Sequence, residues 1–98
     1  MPKHLAEDSD AQALETFLHE RELRHLRVRR RADLLTIESG PVEDPIPHAR
    51  LRRVTVQYWR LEMPTRSGKW EPTPHRGLLD EVQALLVDSF PWTLVALE

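Results

Sequence analysis

The segment His19-Glu20-Arg21-Glu22-Leu23-Arg24-His25 carries the residue types of a zinc-protease helix, H-E-x-x-H, in which two imidazoles one turn apart share a metal ion. Here the second histidine comes six positions after the first, so on a helix the two rings would diverge around the axis and could not share an ion. Glu43, Asp44 and His48, in a proline-rich stretch, have the chemistry to meet a hard cation, though acidic residues in such stretches serve solubility far more often. Nucleophilic catalysis has few parts: cysteine is absent, and Ser9, Ser39, Ser67 and Ser89 fall in caps, turns or a helix end without a G-x-S-x-G context. Ser67-Gly68-Lys69 has the tail of a phosphate-binding loop but lacks the upstream glycine and a helix directly after it, and no G-x-G-x-x-G occurs. No cofactor and no metal ligand set is therefore assigned. The enzymatic chemistry that remains is that of a metal-independent ribonuclease, in which His, Arg, Lys and Tyr on a sheet handle the attacking hydroxyl and the phosphate charge. His25, Arg27, Arg53 and Tyr58 supply those types.

The stronger signal is where the charges lie. Leu23 to Arg76 holds twelve Arg/Lys against six Asp/Glu, whereas Met1 to Glu22 holds two against six and Gly77 to Glu98 none against four. A basic middle between acidic ends, within a net charge of −2, implies one cationic surface among acidic helices, suited to an anionic partner or a self-complementary contact. If Leu26, Val28, Leu35, Ile37, Val54 and Val56 point toward the helices, then Arg27, Arg29, Arg53, Thr55 and Gln57 point away, with His25 and Trp59 beside them. The candidate binding set is thus His25, Arg27, Arg29, Arg53, Gln57 and Trp59. Guanidinium groups beside an aromatic ring suit a phosphate backbone with stackable bases, and they also suit the hot spot of a protein contact. Nucleic-acid modules usually have a pI above about 9. The value of about 6.2 here favours a solvated face whose arginines pair with Glu38, Glu62 and Glu71 over a nucleic-acid site, and the face is still the best binding candidate.

Ninety-eight residues suit a single domain, 1–98, because a chain of this size buries only roughly two-thirds of its unfolded surface. With no cysteine, its core must supply stability without disulfides or thiolate metal sites. The start lacks the apolar core of a secretory signal, and no stretch approaches the roughly 20 apolar residues that span a bilayer, so a cytoplasmic location with no membrane partner is expected. Twelve of the fourteen basic residues are Arg, a bias that a GC-rich genome explains better than a need for bidentate anion recognition, so only the spacing of the arginines counts as evidence.

The elements that must position these groups read as follows. Ser9 or Asp8 caps a helix from about Asp10 to Glu20, with Ala11, Leu14, Phe17 and Leu18 on one face. Alternation in Leu26-Arg27-Val28-Arg29 and the run Leu34 to Glu38 predict a hairpin turning near Ala32-Asp33, and Gly40 to His48, with three prolines, reads as a loop. Arg50 to Met63 is the longest extended segment, its apolar parity shifting at Tyr58-Trp59 as a bulge or bend would shift it. A second hairpin through Arg66-Ser67-Gly68 returns at Trp70 and ends at Pro72. Thr73 as N-cap and Pro74 at the first position open a helix to about Asp88, and Trp92 to Leu97 reads as a final strand or an extended tail.

The expected architecture is an α+β two-layer sandwich: an antiparallel sheet of four to five strands with two helices on one face, in the order α-β-β-β-β-α-β. In element order alone this resembles the double-stranded-RNA-binding domain, and the bare sheet resembles small ribonuclease toxins. The basic cluster such a domain carries at its second helix is here reduced to His75-Arg76, followed by Asp80-Glu81, and no family is assigned. The expected function is that of a small, non-catalytic bacterial accessory protein, contacting a protein partner or itself through the arginine- and tryptophan-bearing sheet face. The alternative is a nucleic-acid binder or ribonuclease using the same face. An uncovered sheet edge would also permit a homodimer.

Overall fold

The structure, a computed structural model, describes residues 4–95. Helix α1 (Asp8–Glu20) is followed by strands β1 (Arg27–Arg31), β2 (Leu34–Ser39), β3 (Ile46–Arg53), β4 (Trp59–Pro64) and β5 (Trp70–Gly77), then by helix α2 (Leu79–Ser89) and a 3-10 turn, Pro91–Leu94. The strands form one antiparallel meander in the order β1-β2-β3-β4-β5. Both helices cover the same face: Leu14 and Leu18 of α1 and Val82 and Leu86 of α2 join Leu35, Ile37, Leu51, Trp59 and Leu61 in one buried cluster. The α+β sandwich is therefore the observed architecture, with one sheet face left bare among the described residues. Among the described residues no helix is long and apolar enough to cross a membrane.

Four local readings give way to the structure. The segment Arg50 to Met63 is a hairpin, with β3 and β4 joined by a loop over Val54 to Tyr58. A reversal of chain direction changes apolar parity as a bulge does, and Val54, Val56 and Tyr58 are consequently exposed. Upstream, β3 begins at Ile46, inside the stretch read as loop. Pro47 is accommodated at a bulge, where the register steps from Ile37↔Ala49 to Glu38↔Pro47 and leaves His48 as the extra residue. Further on, Thr73 does not cap a helix. Its hydroxyl donates to the Leu61 carbonyl at 2.8 Å and so ties β5 to β4. Pro72 and Pro74 remain in the strand because β5 is at the sheet edge, where a missing N–H breaks no ladder.

Helix α2 instead starts after Leu78, whose N–H is met by the Glu81 carboxylate at 2.9 Å. After α2, the predicted final strand is replaced by the 3-10 turn: Pro91 fixes its start and Leu94 inserts into the core, while Ala96 and Leu97 lie outside the described residues.

The β1–β2 turn holds Ala32 at φ 53°, a left-handed conformation that crowds the Cβ of any L-residue other than glycine. Ala32→Gly is expected to raise stability by about 0.5–1 kcal/mol, readable as a shift of the urea midpoint at unchanged slope.

Candidate functional site

The uncovered face is read off the register. One transverse row runs Arg31, Leu34, Arg52, Arg60, Arg76, each directly opposite the next on the neighbouring strand. The row beside it runs Arg29, Thr36, Arg50, Glu62, Pro72, and a third begins Arg27, Glu38, Pro47. With strands about 4.8 Å apart, the first row is roughly 19 Å long. Like charges directly opposite one another are unfavourable in a sheet, so a line of arginines persists only with carboxylates beneath it or a ligand above it.

The first condition is met on this face. Glu62 and Glu38 are buried under the guanidinium layer. Glu62 accepts from Arg50 Nε, from Arg52 Nε at 3.0 Å and from Arg60 Nη2 at 3.0 Å. Burial pushes the Glu62 carboxyl upward, but the three guanidinium hydrogen bonds outweigh it and hold the group below its ordinary value. Arg52 also donates to Asp33 at 2.9 Å. Burial works against its charge, and the Glu62 and Asp33 carboxylates more than offset this, so its affinity for a proton is raised. Glu38 takes Arg27 Nε at 3.3 Å and Arg29 Nη2 at 3.5 Å.

The carboxylates do not exhaust the layer. Seven arginines on this face (Arg27, Arg29, Arg31, Arg50, Arg52, Arg60 and Arg76) stand against Glu38, Glu62 and Asp33. Among the described residues, the side chains of Arg31 and Arg76 meet no acceptor, and Arg60 Nε is buried without one. A groove of about 320 Å³ lies over β1 to β3, bordered by Arg29, Arg31, Arg50, Trp70 and Pro47. Its aromatic wall is held in place by Arg50, whose guanidinium lies 4.5 Å from the centre of the Trp70 ring.

Of the candidate set, Arg27 and Arg29 lie on this face, and the other four do not. Trp59 is a core residue, 2% exposed, because β4 starts at Trp59 and its first side chain points toward the helices. Arg53, opposite Trp59, points the same way and clamps a loop: Nε and Nη2 donate to the Val56 carbonyl and Nη1 to that of Leu5. Gln57 sits at the loop tip rather than on a strand. His25 donates from Nε2 to the Leu94 carbonyl at 2.6 Å, on the helix side. The ribonuclease constellation of His25, Arg27, Arg53 and Tyr58 is accordingly dispersed. Reading the β3–β4 loop as strand puts β3 one residue out of phase and hides Arg50, Arg52 and Arg60, whereas Arg31 is hidden at the turn of the first hairpin and Arg76 in the segment expected to be helix. The alternation in Arg50-Leu51-Arg52 was the available signal. Of the other tryptophans, Trp92 is exposed at a distance from Trp70 in the sequence and packs on Phe90, ring centres 5.6 Å apart.

One constellation has catalytic geometry that sequence reading passed over. Ser39 Oγ lies 2.7 Å from His48 Nε2, and His48 Nδ1 donates to the Thr93 carbonyl at 2.6 Å, so in the neutral ring the hydroxyl donates to Nε2. A nucleophile must also reach a substrate, and Ser39 and His48 are 6% and 3% exposed. The His48 ring lies edge-on to His25, 6.2 Å between centres, and the two imidazoles hold consecutive carbonyls of the 3-10 turn. The pair is a latch that seats Leu94 in the core. It also draws His48 inward, away from Glu43 and Asp44, which are exposed. His48→Ala is expected to cost about 2–3 kcal/mol, because it orphans a buried hydroxyl and a carbonyl together, and to expose the Leu94 amide to hydrogen exchange.

The chain matches no protein-family model, and comparison with curated proteins and with solved structures gave no match either, so its functional reading rests on the geometry of this sheet face.

Proposed function

We propose that this is a non-catalytic binding module, working in the cytoplasm, that docks an acidic segment of a partner protein on the bare sheet face. The observation that carries the reading is the row Arg31, Arg52, Arg60, Arg76, whose two end members have no acceptor among the described residues. A sheet that places like charges opposite one another forfeits stability unless an anion completes the arrangement. Arg29, Arg31 and Arg76 supply the open donors, Glu62 and Asp33 fix Arg52 and Arg60 between them, and Trp70 gives one apolar wall.

A short acidic peptide fits these features better than a nucleic acid does. Glu38 and Glu62 neutralise much of the layer from beneath, and Trp70 is the only tryptophan bordering the groove. The acidic helices would repel a long polyanion that overran the face. Strand-to-strand dimerisation is disfavoured at both edges. The Val28 N–H of β1 is taken by Glu15 at 2.9 Å, and β5 carries Pro72 and Pro74.

The test is titration with a hexaglutamate peptide and with single-stranded RNA, using wild type and the variant Arg29→Glu/Arg31→Glu/Arg76→Glu. Binding of the peptide by wild type and its loss in the variant is expected. RNA binding stronger than peptide binding, lost in the same variant, would transfer the face to nucleic acid.

A further inference from the structure

We infer that the groove over β1 to β3 takes one phosphate monoester, so that the acidic segment docking on this face carries a phosphorylated side chain. This rests on the reading of the bare face as the site for an acidic segment and names the group taken at its β1 end.

The strand register builds the floor of the groove. Thr36 of β2 lies directly between Arg29 of β1 and Arg50 of β3. Its neighbours Leu35 and Ile37 are buried in the core, so Thr36 points to the opposite face. Thr36 is 8% exposed and lines the groove. Among the described residues no group pairs with its hydroxyl, because Arg29 turns to Glu38 and Arg50 Nε to Glu62. A hydroxyl this deep in a protein is ordinarily engaged, and the partner it lacks has to come from outside the chain.

Three guanidinium groups border the same space. Arg31 has no acceptor among the described residues, and Arg29 holds Glu38 loosely, at 3.5 Å. Arg50 gives Nε to Glu62 and keeps its Nη groups without an acceptor among the described residues, while its contact with the Trp70 ring fixes its direction. Donors therefore stand on both sides of the Thr36 hydroxyl and at one end of the groove.

That arrangement fits a tetrahedral anion. A carboxylate has two oxygens in one plane, and a single guanidinium satisfies both. A phosphate monoester has three terminal oxygens pointing apart and needs donors from several directions. Charge agrees with geometry. Arg52 and Arg60 answer for Glu62 and Asp33, so within the groove Arg29, Arg31 and Arg50 stand against Glu38 and leave two positive charges. A monoester carries about −1.5 to −2 near neutral pH. Glu38 at the groove wall repels a second phosphate, which makes a run of phosphates a poor fit. Trp70, Pro45 and Pro47 close the remaining walls and keep water from competing for the anion.

The test compares hexaglutamate with the same peptide carrying phosphoserine at its third position. On wild type the phosphopeptide is expected to bind at least about tenfold tighter. Thr36→Val, which keeps the shape and removes the hydroxyl, is expected to reduce that ratio to about threefold, and Thr36→Ser to retain it. Arg31→Gln, on an exposed side chain, is expected to lower the same ratio and gives a second readout that does not depend on the folding of Thr36→Val. Equal binding of both peptides to wild type, with both lost in Arg29→Glu/Arg31→Glu/Arg76→Glu, overturns the phosphate site and leaves the acidic site standing. The same is true if Thr36→Val and Arg31→Gln both keep the full gain. Inorganic phosphate binding as tightly as the phosphopeptide would mean that the groove takes a free anion, and overturns the phosphorylated segment. Failure of both peptides to bind wild type overturns the acidic site and the phosphate site together.

Discussion

Glu62→Gln is expected to lower the unfolding free energy by about 3 kcal/mol at neutral pH, more than any other single change on the sheet face. The carboxylate side chain is 4% exposed and is shared by Arg50, Arg52 and Arg60, whose side chains are 16%, 28% and 30% exposed. Removing one member of such a buried cluster leaves the others uncompensated, at a typical cost of about 3–5 kcal/mol. The lower end applies because the guanidinium groups keep partial access to water. An amide of the same shape still accepts from one arginine but attracts none of them by charge.

The same substitution has a pH signature. Because the Glu62 carboxyl is held below its ordinary value in the folded state, its contribution is complete above the unfolded carboxyl's pKa, about 4.3. It disappears as pH falls through the lower folded value. The stability difference between wild type and Glu62→Gln is therefore constant from about pH 7 to pH 5 and shrinks below about pH 4. Denaturant titrations of both proteins at matched pH read this directly. A difference that grows on acidification would mean that the carboxylate is not held by the arginines.

Arg29→Glu/Arg31→Glu/Arg76→Glu is expected to weaken binding of an acidic peptide at least about a hundredfold, equivalent to roughly 2.7 kcal/mol. Among the described residues the three side chains make one weak internal contact, Arg29 to Glu38 at 3.5 Å, so thermal stability should change little. The loss would then belong to the ligand and not to the fold. The wild-type affinity should fall with added salt, and the variant should show almost no such dependence. A variant that unfolds, or one that binds as wild type does, contradicts the assignment of these residues to an open anion site.

The layer arrangement was legible in the chain because amphipathic periods are local: Leu14 and Leu18 at helical spacing, and Leu35 and Ile37 at strand spacing, mark the faces that meet in the core. The split of Arg50 to Met63 was not legible. A hairpin loop built of Val-Thr-Val-Gln-Tyr has the composition of a strand, and what closes it is a guanidinium from Arg53 reaching the Val56 and Leu5 carbonyls. That error carried into the candidate site. Reading Val54 and Val56 as core made Arg53 and Trp59 outward neighbours, whereas Leu51 and Leu61 set the true phase and turn Arg50, Arg52 and Arg60 outward. Arg27 and Arg29 were placed correctly because their strand and its partner are joined by a two-residue turn, which leaves no room for a phase error. The Ser39-His48 latch depends on a bulge that sequence does not announce and on a carbonyl 45 residues away.

The decisive measurement is a two-dimensional NMR titration of the protein with hexaglutamate, following the Trp70 indole N–H and the arginine Nε–H signals. Progressive shifts at Trp70, Arg29, Arg31 and Arg76, with the Trp92 indole unmoved, are the predicted result. Shifts confined to the helices or to Trp92, or none at low salt, would show that the arginine rows are only the solvated back of the sheet.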